Sequence, residues 1–196
     1  MSHSVDFFDA QFRRQVASGE FALNPFETIA LPFVRGRVLD LGCGLGNLAI
    51  AAARTGARVV AVDASATAVV RIVKASLAEE LGMVAVLADV DAYRMAGEYD
   101  TMVAIGLLML MPCPQARELL SEMKQHVAPG GVAIINVLVE GTTYMDMFDP
   151  RGYCLFGRDE LERHFAGWKI ELSRHDSFGA PGGTTKEFST LVARRP

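Results

Sequence analysis

The sequence predicts an α/β fold: a doubly wound, mostly parallel sheet covered by helices on both faces. Three observations carry this. Between residues 37 and 139, short and almost wholly apolar β-branched runs alternate with longer segments of helical periodicity, the pattern of a parallel sheet buried on both faces. The first such run enters a glycine turn, Gly42-Cys43-Gly44-Leu45-Gly46, that opens into the small-residue stretch Leu48-Ala49-Ile50-Ala51-Ala52-Ala53. The C-terminal part changes character, with two strand-like runs joined through Gly179-Ala180-Pro181-Gly182-Gly183 as an antiparallel hairpin.

At 196 residues a single domain over 1–196 is expected. Its first part, 1–34, reads as a helical segment whose Phe7, Phe8 and Phe12 either pack into the core or close over a site as a lid. Strands are expected at 37–41, 58–62, 84–88, 101–105 and 132–139. Ser65 is an N-cap for a helix whose apolar stripe runs through Ala66, Val70, Val73, Leu77 and Leu81 and stops at Gly82 as a C-terminal cap. A helix over 114–127 turns Leu119, Leu120 and Met123 inward, and Pro129-Gly130-Gly131 then leads into the fifth strand. A helix over 158–165 precedes the hairpin runs at 168–172 and 188–193. No repeat or low-complexity tract interrupts this order.

Composition excludes several classes of function. No apolar run approaches the roughly 18 residues of a membrane span, and the N-terminus lacks a basic stretch followed by an apolar one, so a soluble, cytoplasmic protein is expected. The net charge is −4 and basic residues cluster no further than pairs such as Arg13-Arg14, which argues against a nucleic-acid partner and for a small molecule. Cys43, Cys113 and Cys154 are odd in number and far apart, so neither a metal site nor a disulfide framework is expected, and a reduced compartment fits. Oligomeric state is not legible.

The glycine turn is where chemistry is expected. Glycines let the chain turn sharply and let a ligand approach the backbone, while alanines seat the following helix close to the sheet. Free N–H groups at that helix start favour an anion such as the carboxylate of a methionine tail, and Asp40 can accept from its ammonium. Asp63, followed by Ala64, ends the second strand, where a carboxylate reaches two ribose hydroxyls of a ligand seated on the first turn. Asp89 ends the third strand, placed to accept from an adenine amino group while the Val90 N–H meets a ring nitrogen. Ile105, at the end of the fourth strand, completes the nucleoside set of Asp40, Gly42, Cys43, Gly44, Gly46, Asp63, Ala64, Asp89 and Val90. The competing reading, loop acids around an ordinary turn, does not account for glycines and acids meeting at strand ends of one sheet.

These residues resemble class I S-adenosylmethionine-dependent methyltransferases: Val38-Leu39-Asp40-Leu41-Gly42-Cys43-Gly44 is similar to their first motif, Asp63 to their second and Asp89-Val90 to their adenine contact. Tyr99-Asp100, Leu107-Leu108-Met109-Leu110-Met111, Pro129-Gly130-Gly131 and Leu161-x-x-His164-Phe165-x-Gly167-Trp168 resemble the tellurite-resistance type. The resemblance implies S-adenosylmethionine as cofactor and a seven-stranded sheet with an antiparallel last strand. It also implies a histidine and arginines near the terminal strands at the acceptor, for which Arg174-His175 is the candidate pair, in reverse order to the expected His-Arg.

A sulfonium methyl is already electrophilic, so alignment and exclusion of water are the main demands on the protein. His175 is the candidate base, on a loop after a terminal strand, with His126 and His164 behind it. Tyr144, Phe148, Arg151 and Tyr153 fall in the connection after the fifth strand, where loops meet an acceptor, and Arg151 can hold an oxyanion. Cys113, between Pro112 and Pro114, reads as a helix-entry residue rather than a nucleophile, and Cys43 as packing within the turn. Methyl transfer to a small nucleophile, a chalcogen oxyanion or a thiol, is the expected activity. An NAD(P)-dependent oxidoreductase is the rival, disfavoured because the turn is G-x-G-x-G and not G-x-G-x-x-G, and a non-catalytic nucleotide-binding module is the other.

Overall fold

The computed structural model describes residues 3–196. In chain order its elements are α1 (His3–Ser18), α2 (Pro25–Ala30), β1 (Arg37–Leu41), α3 (Asn47–Arg54), β2 (Arg58–Asp63), α4 (Ala66–Ala78), β3 (Met83–Leu87), β4 (Tyr99–Ile105), α5 (Cys113–His126), β5 (Val127–Leu138), α6 (Glu160–His164), β6 (Lys169–Ala180) and β7 (Thr184–Arg194). Among the described residues the sheet has seven strands in the order β3-β2-β1-β4-β5-β7-β6. β1 to β5 pair in parallel, and β7 runs antiparallel between β5 and β6. The expected doubly wound sheet with an antiparallel last strand is thus observed, and its order reverses between β1 and β4. No helix among the described residues is long and apolar enough to cross a membrane.

The pleat sends alternate residues of each strand to opposite faces, and each face has its own core. Val38, Val59, Ala61 and Val103 pack with Ala30 of α2, Leu48 and Ala52 of α3 and Ile72 of α4. Leu39, Leu41, Met102 and Ala104 pack with Leu120 and Met123 of α5 and Leu161 of α6. The small residues of α3 are what let it sit this close, with Ala52 fully buried.

Four expectations change. In α4, Ser65 is the N-cap, its Oγ accepting from the Ala68 N–H at 3.1 Å, but the buried residues are Ala68 and Ile72. Val70, Val73 and Leu77 of the expected stripe are exposed, at 53%, 41% and 75%. The helix carries two apolar stripes, and only the sheet decides which is covered. It ends at Ala78, with the reversal made by Glu80 in the left-handed region and not by Gly82.

Pro129-Gly130-Gly131 does not precede the fifth strand but forms an irregularity inside it, since Tyr99 pairs with Val127 and Thr101 with Val132. β6 and β7 are longer than the expected runs, and only Pro181, Gly182 and Gly183 separate them. Arg174 and His175 therefore stand within β6, opposite Thr190 and Ser189, and not on a loop. An edge strand exposed along most of its length lacks the apolar alternation that would have revealed it.

The fourth change concerns the cysteines. Cys113, at the start of α5, and Cys154, in the connection after β5, form a disulfide across 41 residues of sequence, against the expectation of unpaired thiols. The Cys154 N–H donates to the Met109 carbonyl, and this returns the loop to the start of α5. Cys43 is free and buried in the turn, as read from the sequence.

Candidate functional site

A cavity of about 730 Å³ opens at the carboxyl ends of the parallel strands, over the point where strand order reverses. That is where open α/β sheets bind ligands, and the volume lies in the upper part of the about 300–1,000 Å³ usual for such sites. Of the expected nucleoside residues, Asp40, Gly42, Cys43, Gly44, Asp63, Ala64, Asp89, Val90 and Ile105 line it. Gly46 stands behind the wall. It caps α3 with φ of 70°, and a Cβ there would meet Ile72 Cγ1 at 2.5 Å, so only glycine lets α3 start against α4.

Asp63 organises the turn. Its Oδ2 accepts from the Gly44 N–H and its Oδ1 from the Ser65 N–H, both at 2.8 Å. A carboxylate has about four acceptor positions, so each oxygen keeps one for a hydroxyl from the cavity. Burial raises the Asp63 carboxyl above its usual range, against the pull of the Ser65, Gly44 and Ala64 N–H groups. Asp89 is exposed at the rim, where its Oδ1 accepts from the Asp91 N–H at 3.2 Å.

The end of the cavity nearest β1 is more acidic than the sequence suggested. Asp40 is 4% exposed, and burial pushes its carboxyl well above the ordinary range, with the charges of Glu27 and Asp63 adding to the push. Glu27 belongs to a capping box: Asn24 Oδ1 accepts from the Phe26 and Glu27 N–H groups at 2.9 Å, and Glu27 Oε2 accepts from the Asn24 N–H at 2.7 Å. Burial raises Glu27 too, while the Leu48 N–H at the start of α3 pulls it down. The helix start expected to meet a ligand carboxylate thus already faces the protein's own carboxylate. Three acids converging here suit a cationic ligand group.

The wall over the cavity is α1, which contributes Phe8, Gln11 and Phe12, with Phe12 beside Gly44. Phe7 packs on Phe8, with ring centroids 5.3 Å apart, and does not line the cavity. α1 is fastened at its start and near its middle. Ser65 Oγ donates to Asp9 Oδ1 at 2.5 Å, and Ser4 Oγ donates to the Met147 carbonyl at 3.1 Å.

Across the switch point the lining becomes apolar with a few polar groups. Arg151 is there, held by a two-point ion pair to Asp149 at 3.0 and 2.7 Å that keeps the Asp149 carboxyl far below its usual range. Tyr144, Phe148 and Tyr153 are not in the lining; Phe148 and Tyr153 stack on each other with centroids 4.8 Å apart. Arg174 and His175 are both exposed and lie outside the cavity, with Arg174 paired to Asp176 at 2.6 Å. His126 Nδ1–H donates to the Gly97 carbonyl, 2.6 Å away, and His164 packs on Phe165, so neither reaches the cavity. The residues that line this half of the cavity are instead Asn136 on β5 and Lys186 and Phe188 on β7. Asn136 had a sequence signal, as the one polar residue within the apolar run 132–139, and Glu27 had one in Asn24-x-x-Glu27; Lys186 had none.

Comparison with known proteins agrees with this geometry. A family model described as a methyltransferase domain matches residues 38–131. A ubiquinone biosynthesis O-methyltransferase from Cronobacter sakazakii is 30% identical, over 78% of this chain and 73% of that protein. The probable S-adenosyl-L-methionine-dependent methyltransferase TehB of Haemophilus influenzae is 24% identical, over 81% of this chain. This chain spans just over half the length of that relative, 57%. The crystal structure of TehB from the same organism superimposes with a TM-score of 0.77 over 98% of this chain and 67% of that chain, at 20% identity, a likeness of fold.

Proposed function

Because the chain belongs to the class I S-adenosylmethionine-dependent methyltransferases and is similar to their tellurite-resistance type, we propose that its cavity carries out methyl transfer to a small-molecule nucleophile. The observation that carries this reading is the meeting of the glycine turn with Asp40, Asp63 and Asp89, from three strand ends, in one cavity. S-adenosylmethionine supplies an electrophilic methyl group on a sulfonium. In this reading Asp89 and the Val90 N–H hold adenine, Asp63 holds the ribose hydroxyls, and Asp40 with Glu27 faces the ammonium of the methionine tail.

The residues fit that molecule by charge as well as shape. Asp40 is buried and Glu27 and Asp63 are half-buried, like charges that a cation relieves, and Gly44 leaves space beside Phe12 that a side chain would narrow. α1 serves as the lid within the segment 1–34, with Phe8 and Phe12 excluding water, which strengthens every electrostatic contact inside. No base is required of the protein for a soft or ionised nucleophile, and a chalcogen oxyanion or a thiol is the acceptor class we favour.

Thermal unfolding with S-adenosylmethionine, S-adenosylhomocysteine, NAD and NADP added separately tests the reading. A ligand at a hundredfold its Kd stabilises by about 2.7 kcal/mol, several degrees for a domain of this size. A shift with the two sulfur nucleosides alone is expected, and a shift with a dinucleotide instead overturns it. S-adenosylhomocysteine release over a panel of thiols, oxyanions and phenols then tests turnover.

A further inference from the structure

The half of the cavity across the switch point holds two polar groups that the nucleoside reading leaves unused. Asn136 is fully buried in β5, its Nδ2 donates to Thr190 Oγ1 at 2.9 Å, and its Oδ1 has no partner among the described residues. A buried carbonyl without a donor is costly, so a group placed this way calls for a ligand donor. Lys186 is half-buried, and its ammonium lies 4.4 Å from the Tyr144 ring centroid. Among the described residues it has no carboxylate partner, unlike Arg151, which Asp149 neutralises. Burial lowers Lys186 from its usual range, as an uncompensated ammonium requires.

Both groups lie beyond the reach assigned to the cofactor. Asp89, Asp63 and Asp40 lie at or just past the ends of β3, β2 and β1, whereas β5 and β7 are two and three strands from β1 on the opposite side. At about 4.8 Å per strand the separations are about 10 Å and about 14 Å. Phe8, Met109 and Phe188 supply apolar wall around them.

We propose that the acceptor is a small oxyanion-bearing molecule, seated with its oxyanion on Lys186 and an X–H group donating to Asn136 Oδ1. The inference rests on the methyltransferase reading and narrows its acceptor. A carboxylate on an apolar body and an inorganic chalcogen oxyanion share this chemistry. Lys186 sets charge preference, and Asn136 orients the nucleophilic atom, whose lone pair forms the new bond to carbon as the carbon–sulfur bond breaks and S-adenosylhomocysteine leaves; the proton of X–H is lost to solvent, since an amide oxygen is no base.

The test is a binding measurement on protein saturated with S-adenosylhomocysteine. Thermal unfolding is followed with 4-hydroxybenzoate, its neutral analogue 4-hydroxybenzyl alcohol, its cationic analogue 4-hydroxybenzylamine, benzoate, and selenite. A stabilising shift is expected from 4-hydroxybenzoate, selenite or both, and neither the alcohol nor the amine should match it; which anion responds assigns the organic or inorganic source. Lys186→Met should weaken the anion by about tenfold, the size of one charge-assisted hydrogen bond, while Lys186→Arg retains it. If 4-hydroxybenzoate is the responder, Asn136→Ala should erase its advantage over benzoate. Equal shifts across the three charges, no shift from either anion, or an anion shift that survives Lys186→Met overturns the proposal. So does a Lys186→Met protein that no longer responds to S-adenosylhomocysteine, because the cation then serves the cofactor. A wild-type protein blind to S-adenosylhomocysteine would instead remove the methyltransferase reading.

Discussion

Ser65 Oγ donates a 2.5 Å hydrogen bond to Asp9 Oδ1 while its own N–H donates to Asp63. One residue therefore joins α1, the N-terminus of α4 and the carboxylate that shapes the glycine turn. Asp9 is held below its usual range chiefly by that hydroxyl, so it is ionised and accepting near neutrality. Its contribution is present above 3.8, the ordinary aspartate value, and is lost as pH falls through the lowered folded value.

Asp9→Ala should release the lid without dismantling the site. The expected result is roughly tenfold weaker S-adenosylhomocysteine binding, expressed mainly as faster dissociation. Ser65 keeps its bond to the Ala68 N–H, so α4 stays capped. Stopped-flow release of the nucleoside checks this, and unchanged dissociation would mean that α1 is simply core.

Asp63→Ala should cost more, because it removes two ligand contacts and also leaves the Gly44 and Ser65 N–H groups without their acceptor. Roughly a hundredfold or greater loss of affinity for both sulfur nucleosides is expected, together with a lower unfolding midpoint. Calorimetric titration distinguishes this from Asp89→Ala, which sits exposed at the rim and should lose affinity with little change in stability.

Asp40 should behave in the opposite sense. Its folded-state pKa is raised, as are those of Asp63 and Glu27, so the contribution of these three groups to the stability of the ligand-free protein is fully present below their unfolded values of 3.8 and 4.5 and is lost as pH rises through the raised ones. A tenfold difference in proton affinity between the folded and unfolded chain is worth about 1.4 kcal/mol. Asp40→Asn should therefore raise the ligand-free midpoint near neutral pH while weakening S-adenosylmethionine binding by at least about tenfold. In the wild type, the cofactor's stabilising effect should grow with pH across this window. Midpoints measured against pH, with and without cofactor, check both statements; a variant less stable than wild type would show that Asp40 is structurally required.

What was legible follows from what is local. β1, the glycine turn, Asp63 and Asp89 are set by short apolar runs and by the carboxyl ends that a parallel register brings level, and Asp40, Gly42, Gly44, Asp63 and Asp89 line one cavity while Gly46 does not. The covered face of α4 was not legible, because Ala68 and Ile72 compete with Val70, Val73 and Leu77 in sequence and the winner depends on the sheet. Lys186 reaches the cavity only because β7 inserts antiparallel beside β5, pairing Phe188 with Leu138, a long-range event. The same insertion carries Arg174 and His175 out along β6, away from the site proposed for them by resemblance.

The disulfide joins two parts of the cavity wall across the switch point from β1. Cys113 follows Pro112, and Cys154 lies two residues past Gly152; Pro112 and Gly152 both line the cavity, and a Cβ on Gly152 would lie 2.5 Å from Pro112 Cγ. The crosslink thus fixes the segment carrying Asp149 and Arg151 against the start of α5. Closing a loop of 41 residues stabilises the folded chain by between about 3 and 4.7 kcal/mol on loop entropy alone. Cys113→Ser, or reduction by a phosphine that is not itself a thiol acceptor, should lower the unfolding midpoint by several degrees and raise KM for the acceptor severalfold. S-adenosylhomocysteine affinity should be nearly unchanged, since Asp40, Asp63 and Asp89 lie on β1, at the end of β2 and just past β3, on the other side of the switch point. Equal losses at both ligands would mean that the bridge supports the whole cavity and not its acceptor half alone.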